Sequence, residues 1–379
     1  MHLSKMPALS STMLPDASST LINLSFIGQK PTGLATYALN LIPELSLPGL
    51  KLLASDNVPK SRLKGQVCLP IPAQFTPEQG KLGHLRRLAW TQMQLPKIYA
   101  DQRASLLFSP VPEAPLYSRC RSIVVVHDLI PLRFPSWKSP LTQYARHYMP
   151  RVLEQAEHIL CNSTATAQDI TQFFQIPAHK ITPIPLAHDR QNFRPMDLPN
   201  RSDRPYFLYV GRPDPYKNLA RVLWAMTALP PEYELWIAGS SDRRFTPRLQ
   251  AQATELGLGD RVKFLEYVTY DHLPILYNQA IALIFPSLWE GFGFPALEAM
   301  ACGTPVITSN LSSLPEVTGD AAILIDPYNE AEITEAMRQL VLNPAERSRL
   351  RSAGLAQASQ FSWTKTAQAT GAVLEQYLG

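Results

Sequence analysis

The stretch Ile284–Val306, which reads IFPSLWEGFGFPALEAMACGTPV, carries the clearest structural signals in the chain. An apolar run with strand character leads into a loop punctuated by glycine. Pro295 suits the first position of a helix because that position needs no N–H donor, and Gly303 provides a helix stop before the next apolar run. The stretch therefore predicts strand, loop, helix and strand in succession, as in a parallel sheet covered by helices.

The loop of this stretch has the composition of a polar ligand site. The amides of Gly291, Phe292 and Gly293 are predicted to lie at the positive end of the helix, where glycine lets a ligand approach the backbone closely. Glu290 and Glu298 flank the loop with seven residues between them, and carboxylates accept hydrogen bonds from sugar or ribose hydroxyls. The alternatives are that Glu298 only complements the helix dipole and that Glu290 is an exposed loop acid.

A second segment, Tyr206–Asn218, reads YFLYVGRPDPYKN and also runs from a buried strand into a loop. It places Arg212 and Lys217 at the carboxyl end of that strand. Arg offers a planar fork of donors and Lys a point charge, and a helix beginning near Asn218 adds its positive end, so the segment predicts a diphosphate site. The alternative is a pair of solvated surface cations.

Outward from these two segments, apolar runs alternate with helical patterns along most of the chain, which predicts doubly wound α/β architecture. The 379 residues are enough for two such domains. The polar, proline-containing stretch Arg190–Pro205 separates them. We predict a first domain at 1–192, a linker at 193–205 and a second domain at 206–363, with a helix at about 364–379 packing back on the first domain. A cleft between the strand ends is the expected ligand site.

In the first half, the apolar runs predict strands at Leu21–Ile27, Ser122–Val126, His158–Cys161 and Ile181–Pro185. Helical patterns lie between them at Thr36–Ile42, Leu82–Met93 and Leu141–Glu157. The same reasoning predicts an alternating series of strands and helices from Tyr206 to the C-terminus.

Composition limits the class of protein. Apolar residues make up 45% of the chain and charged residues 17%, which fits a folded protein and neither a disordered chain nor a membrane-spanning one. The net charge is +4, but residues 1–190 hold 19 Lys and Arg against 11 Asp and Glu, so the first half is basic. No stripe of basic and aromatic residues accompanies this excess, which argues against nucleic-acid binding. The absence of a signal-peptide pattern and of paired cysteines predicts a cytoplasmic protein.

The two ligand-site segments together resemble the retaining glycosyltransferases of family 4, which have the GT-B fold of two Rossmann-like domains facing a central cleft. The resemblance rests on Glu290-x7-Glu298 within EGFGFPALEAMACGTPV and on VGRx4KN at Val210–Asn218. It extends to the segments Ser312–Ala322, Ile325–Pro327, Phe361–Trp363, His127–Asp128 and Cys161–Ser163.

The resemblance implies that a nucleotide diphosphate sugar binds the second domain and that its sugar passes to an acceptor on the first. It assigns the diphosphate to Arg212 and Lys217, the ribose hydroxyls to Glu298, and the donor sugar to Glu290 with the amides that follow it. His127 would contact the sugar near the reacting carbon. The implied donor-binding set is Gly33, Arg212, Lys217, Glu290, Gly291, Phe292, Gly293, Phe294 and Glu298.

The resemblance also implies retention of anomeric configuration, with the departing phosphate accepting the acceptor's proton. A double displacement with Glu290 as nucleophile is the alternative. No Asp-x-Asp element is present, and the cationic pair can neutralise the diphosphate. We therefore expect no metal and no other cofactor.

The donor is left open by these motifs. The segment His127–Leu132, HDLIPL, resembles mannosyltransferases that use GDP-mannose, so transfer of mannose to a glycan or lipid-linked saccharide in polysaccharide biosynthesis is expected. UDP-glucose or another UDP-sugar is the alternative donor. A sugar-nucleotide epimerase, a phosphorylase or a non-catalytic sensor on the same fold are the alternative functions.

Two features have competing interpretations. Lys81–Trp90 fits an amphipathic helix with Leu82, Leu85, Leu88 and Ala89 on one face. Such a helix binds an anionic membrane surface peripherally or packs within its domain. His188 replaces part of a Pro-Asn-Gly element seen in many family members, and it is either an acceptor contact or an ordinary loop histidine.

Overall fold

The computed structural model describes residues 19–28, 32–63, 65–75, 79–198 and 204–378. Two parallel sheets, each flanked by helices, organise this part of the chain. This is the predicted GT-B arrangement. The predicted domain bounds stay a prediction, and part of the predicted linker lies outside the described residues.

The first sheet has seven parallel strands in the order β3-β2-β1-β4-β5-β6-β7. Its strands are β1 (Thr20–Asn23), β2 (Lys51–Ala54), β3 (Val67–Pro70), β4 (Leu106–Ser109), β5 (Ser122–Val126), β6 (His158–Cys161) and β7 (Ile181–Pro183). The strand order reverses between β1 and β4, where Leu21 pairs with both Lys51 and Leu107. Every residue of β5, SIVVV, is buried, as expected for β-branched residues in a sheet covered on both faces.

The second sheet has six parallel strands in the order β10-β9-β8-β11-β12-β13. Its strands are β8 (Tyr206–Val210), β9 (Glu234–Ala238), β10 (Val262–Phe264), β11 (Ala282–Phe285), β12 (Val306–Ser309) and β13 (Ile323–Ile325). Here the order reverses between β8 and β11, the strands that precede the two ligand-site segments. Ligands of open parallel sheets bind at such reversal points.

Helices cover both sheets. They are α1 (Gly33–Leu41), α2 (Gly80–Met93), α3 (Leu95–Asp101), α4 (Ile130–Arg133), α5 (Pro140–His147), α6 (Met149–Gln155), α7 (Thr164–Phe174), α8 (Leu219–Thr227), α9 (Thr246–Glu255), α10 (Leu273–Gln279), α11 (Phe294–Ala301), α12 (Leu314–Thr318), α13 (Glu330–Leu342), α14 (Pro344–Ala358) and α15 (Trp363–Glu375). No helix in the described ranges is long and apolar enough to cross a membrane.

The last helix, α15, returns to the first half of the chain. Thr366 Oγ1 donates to the carbonyl of Pro185 at 2.8 Å. Gly371 faces Leu45, and a Cβ at this glycine would lie 3.7 Å from the leucine side chain. The buried side chains of Val373 and Leu374 join a core that includes residues of both halves. The C-terminal helix therefore fastens the two sheet units together.

Candidate active site

The loop between β11 and α11 forms one wall of the site. Gly293 ends it with φ of +114°, a left-handed conformation that favours glycine. Pro295 occupies the first turn of α11, as predicted. Gly303, with φ of +76°, follows that helix. The chain therefore turns into α11 with the helix's positive end at the loop.

Three successive carbonyls of this loop are held by serine hydroxyls. Ser313 Oγ lies 3.0 Å from the carbonyl oxygen of Glu290 and 2.7 Å from that of Phe292. The carbonyl of Gly291 accepts instead from Ser163, on the first half of the chain, at 2.7 Å. Within the described residues, no acceptor lies against the amides of Gly291, Phe292 or Gly293. These N–H groups, on buried residues, are the candidate hydrogen-bond donors to a ligand.

Lys217 and Glu290 meet at the same loop. Lys217 Nζ lies 2.6 Å from Glu290 Oε1, and the two side chains are only 14% and 10% exposed. The backbone N–H of Glu290 donates to Ser312 Oγ at 3.1 Å, which fixes the start of the loop. A charged pair with this little water requires close geometry to offset its desolvation cost. Lys217, which is predicted to bind the diphosphate, therefore lies next to Glu290, which is predicted to bind the donor sugar.

Arg212 follows β8 but points outward. Its side chain is 64% exposed and its guanidinium donates to Asp214 at 2.8 Å. Arg212 is therefore a largely solvated cation, as in the alternative interpretation of this segment. Lys217 is not, because its side chain is mostly shielded from water.

Glu298 lies one turn inside α11 and contacts Tyr277 of α10. The Tyr277 hydroxyl donates to Glu298 Oε2 at 3.1 Å. Burial raises the pKa of the Glu298 carboxyl to about 8, and the hydrogen bond from Tyr277 opposes this shift. This shift favours the protonated carboxyl, which can both donate and accept a hydrogen bond.

His127 lies directly after β5, on the first half of the chain. Its Nε2 is 2.9 Å from the carbonyl oxygen of Pro110, which can only accept, so Nε2 carries the proton. Burial lowers the pKa of His127 to about 4, which keeps the ring neutral and leaves Nδ1 as an acceptor. Tyr37 packs edge-on against this ring at 4.8 Å and holds its orientation.

The loop between β11 and α11 touches the first half of the chain at Gly291. A Cβ at this glycine would lie 2.0 Å from the carbonyl oxygen of His127 and 2.9 Å from Asp128 Cβ. Burial raises the pKa of the Asp128 carboxyl, and the negative charge of Glu290 adds to the effect. The structure therefore brings His127 to the loop that carries Glu290, Phe292 and Gly293.

An apolar cavity of about 270 Å³ opens beside His127 and Asp128. Its other lining residues are Phe26, Thr32, Leu34, His84, Arg87, Val111, Pro112, Glu113, Pro131, Leu141, Tyr144, Ala145 and Met149. Arg87 and Glu113 in this lining are paired, because Arg87 contacts both carboxylate oxygens of Glu113 at 2.7 and 2.8 Å. This cavity lies on the half of the chain predicted to bind the acceptor.

Gly33 is the first residue of α1, which Thr32 caps. A Cβ at Gly33 would have no atom of the described residues within 4 Å, so packing against them does not require glycine there. Residues 29–31, which precede Thr32, lie outside the described ranges. Phe294, also in the predicted set, begins α11 and packs edge-on against Phe292 at 5.6 Å.

Sequence reasoning missed the groups that hold the loop. Ser163 and Ser313 both lie in segments that carry the family resemblance, but nothing in their local pattern predicts which carbonyl they bind. His188 is buried, and burial lowers its pKa to about 4. It lines a cavity with Trp363 and Asp189.

Comparisons with known proteins agree with this geometry. Residues 191–357 match the family model for glycosyl transferases group 1, and residues 31–192 match that for glycosyltransferase family 4. The O-antigen chain mannosyltransferase B of Escherichia coli is 31% identical over 363 residues, covering 88% of this chain and 93% of that protein. The O-antigen chain mannosyltransferase RfbU of Salmonella typhimurium is 26% identical over 337 residues, covering 87% and 93%.

Among solved structures, Alr3699/HepE from Anabaena in complex with UDP and glucose aligns with a TM-score of 0.76 at 19% identity, over 94% of this chain and 100% of that one. This likeness shows the fold. Because the two family models together span residues 31–357, and the Escherichia coli protein exceeds 30% identity over nearly its whole length, the chain belongs to the family 4, group 1 glycosyltransferases.

Proposed function

We propose that this glycosyltransferase transfers mannose, with retention, from GDP-mannose to a glycan or lipid-linked saccharide in polysaccharide biosynthesis. The names of its relatives as O-antigen mannosyltransferases support the sugar and the pathway class. The observation that carries the mechanism is the Lys217–Glu290 pair beside three unpaired amides, with His127 on the facing wall.

When the donor binds, its diphosphate replaces Glu290 as the ion-pair partner of Lys217. The phosphate oxygens accept from the ammonium group, and the guanidinium of Arg212 turns from Asp214 to add a second cation. Negative charge develops on the leaving diphosphate as the glycosidic bond breaks, so fixed cations favour the transition state over the ground state. Glu298 bonds the ribose hydroxyls from beneath.

The sugar lies between the two walls. Glu290, released from Lys217, accepts hydrogen bonds from sugar hydroxyls, and the amides of Phe292 and Gly293 donate to them. His127 Nδ1 accepts from a hydroxyl near the reacting carbon. The acceptor oxygen attacks that carbon on the face from which the diphosphate departs, and the acceptor's proton passes to a leaving phosphate oxygen. This route needs no protein base, and Glu290 serves binding and not nucleophilic attack.

A thermal-shift screen of GDP-, UDP- and ADP-sugars tests the donor, because a ligand of the folded state raises the melting temperature more as it binds more tightly. GDP-mannose should give the largest shift. A larger shift with a UDP-sugar would refute the proposed donor. Proton NMR of the first sugar released from GDP-α-mannose tests retention, and a β product would refute it.

We also propose that the reaction is independent of metal, with the cationic pair meeting the diphosphate charge. Donor hydrolysis and transfer should persist in excess chelator. Loss of both activities in chelator, followed by recovery on addition of Mg²⁺ or Mn²⁺, would overturn this proposal.

The outward face of α2 supports a peripheral membrane contact on the cytoplasmic side. Leu82, Leu85 and Met93 are 55%, 62% and 59% exposed, and they recur at helical spacing. Arg86 is exposed beside them, which suits an anionic bilayer. Leu82→Ser with Leu85→Ser should abolish salt-sensitive binding to vesicles containing phosphatidylglycerol.

The control for this test is Leu342→Ser, because Leu342 is 71% exposed on the other half of the chain. The control should bind the vesicles like the wild type. Equal binding by wild type and double variant at low salt would refute the contact.

A further inference from the structure

The peptide unit between Gly291 and Phe292, in the loop between β11 and α11, is hydrogen-bonded by residues of the first domain. The Gly291 carbonyl accepts from Ser163 Oγ at 2.7 Å, and Thr166 Oγ1 lies 3.3 Å from the same oxygen. Both hydroxyls are buried. The residues are 128 and 125 positions away along the chain, so only the docking of the two domains brings them together.

The geometry of a peptide bond gives this contact a consequence. The carbonyl of Gly291 and the N–H of Phe292 belong to the same planar unit, and in a trans peptide they point in opposite directions. The described residues contain no cis peptide. When Ser163 fixes the carbonyl, it also aims the Phe292 N–H away from the first domain's helix α7.

A carboxylate anchors the same helix to the second domain. Glu316 accepts from the backbone N–H of Thr164 at 2.8 Å and from that of Ala165 at 2.8 Å. These are the first two amides of α7, where a negative charge is favourable. Ser163 is the N-cap of this helix and accepts from the Thr166 N–H at 3.1 Å. Glu316 therefore holds Ser163 at the Gly291 carbonyl.

We propose that Ser163, held in place by Glu316, is a positioning residue that sets the Phe292 amide against the donor sugar when the domains are docked. The inference rests on the proposed function, because it assigns the Phe292 N–H to a sugar hydroxyl. It also links the two domains, because a residue of the first domain orients an amide of the sugar subsite in the second domain. The nucleotide, bound by Lys217 and Glu298, does not need this contact.

The test compares Ser163→Ala with Ser163→Thr, which keeps both the cap and the hydroxyl donor. Calorimetry measures affinity for GDP and for GDP-mannose, and donor hydrolysis gives kcat and KM. Ser163→Ala should leave GDP affinity within about 2-fold of wild type and lower kcat for hydrolysis about 10- to 100-fold, the scale of losing an oriented donor in a transition state. Ser163→Thr should restore most of the activity.

Two further variants separate positioning from simple loss of a cap. Ser362→Ala removes the N-cap of α15, where Ser362 accepts from Lys365 N–H, and it should lower the melting temperature without the kcat loss. Thr166→Val removes the second hydroxyl but keeps the α7 cap, and it should give a smaller fall in kcat. The same kcat for Ser163→Ala and Ser362→Ala, or equal weakening of GDP and GDP-mannose, would overturn the inference.

A different preferred donor would not leave the inference untested. If the thermal-shift screen selects another sugar nucleotide, the proposed donor is wrong. The same comparison is then made with that sugar nucleotide and its free nucleotide.

Discussion

Replacing Gly291 with alanine tests whether the observed domain contact is required for catalysis. The added Cβ would lie 2.0 Å from the His127 carbonyl oxygen, whereas ordinary contact begins near 3.4 Å. The obstructing atoms are the His127 carbonyl group and Asp128 Cβ, which no side-chain rotation moves. The φ of Gly291 is outside the left-handed region, so alanine is compatible with the loop itself. The two walls must therefore separate by about 1.4 Å in the variant.

A displacement of about 1 Å between reacting groups can cost about 100-fold in rate, and we expect a fall of that size in kcat for donor hydrolysis and transfer. Affinity for GDP should stay within about 3-fold of wild type, because Lys217, Arg212 and Glu298 all lie on the second domain. The melting temperature should fall by no more than about 3 °C, which corresponds to about 1 kcal/mol in domains of this size. Stopped hydrolysis assays, calorimetry and thermal melts measure the three quantities.

Gly259→Ala is the matched control. Gly259 is exposed, and a Cβ there would have no atom within 4 Å in the part of the chain that the structure describes. It precedes the edge strand β10, at the amino end of the sheet, whereas the candidate site lies at the carboxyl ends of β8 and β11. The control should retain wild-type kcat. A Gly291→Ala variant with kcat within 3-fold of wild type would refute the docked arrangement as the catalytic one, and a loss of GDP affinity equal to the loss in kcat would show damage to the loop instead.

Three further substitutions test individual groups. Gly33→Ala should melt like wild type, because its Cβ meets nothing, yet bind donor about 10-fold more weakly if a phosphate lies against this glycine; unchanged calorimetric affinity would remove Gly33 from the site. Lys217→Gln should lower kcat/KM about 100-fold, whereas Lys263→Gln, which breaks a 2.7 Å ion pair at the sheet edge, should leave it near wild type; equal losses would contradict the phosphate role. Glu298→Gln should gain melting temperature relative to wild type as pH rises from about 4.5 to about 8, because the folded wild type holds its proton to about pH 8 and the unfolded chain loses it near 4.5. A melting-temperature difference that does not change with pH would contradict the raised pKa of the Glu298 carboxyl.

The sequence predicted the second domain in more detail than the first. The β11–α11 unit was predicted element by element, because Pro295 and Gly303 have specific backbone requirements at a helix start and stop. In the first sheet, the strands Lys51–Ala54, Val67–Pro70 and Leu106–Ser109 were not predicted. Val67–Pro70 is an edge strand with mostly exposed side chains, so burial imposes little pattern on its sequence.

The prediction of one continuous helix after β5 was wrong. The pattern over Leu141–Glu157 predicted a single helix, and the structure has two, Pro140–His147 and Met149–Gln155. Pro150 lies in the first turn of the second, where its missing N–H is tolerated. A proline inside a longer helix would break its hydrogen bonding. The apolar spacing continues across the break because both helices cover the same sheet.

The candidate site shows the same division between local and long-range information. Lys217 and Glu290 were predictable because each follows a strand at a reversal point of its sheet, and such positions face the cleft. Glu298, one turn inside α11, was predicted from its spacing to Glu290 and from the family resemblance. Ser163 and Glu316 also follow these rules, since one caps a helix and the other begins one. Their contacts depend on how two separately wound sheets dock, which no local pattern encodes. Two chain-distant side chains thus set the direction of one amide, and the test of Ser163→Ala against Ser163→Thr measures how much of catalysis depends on that docking.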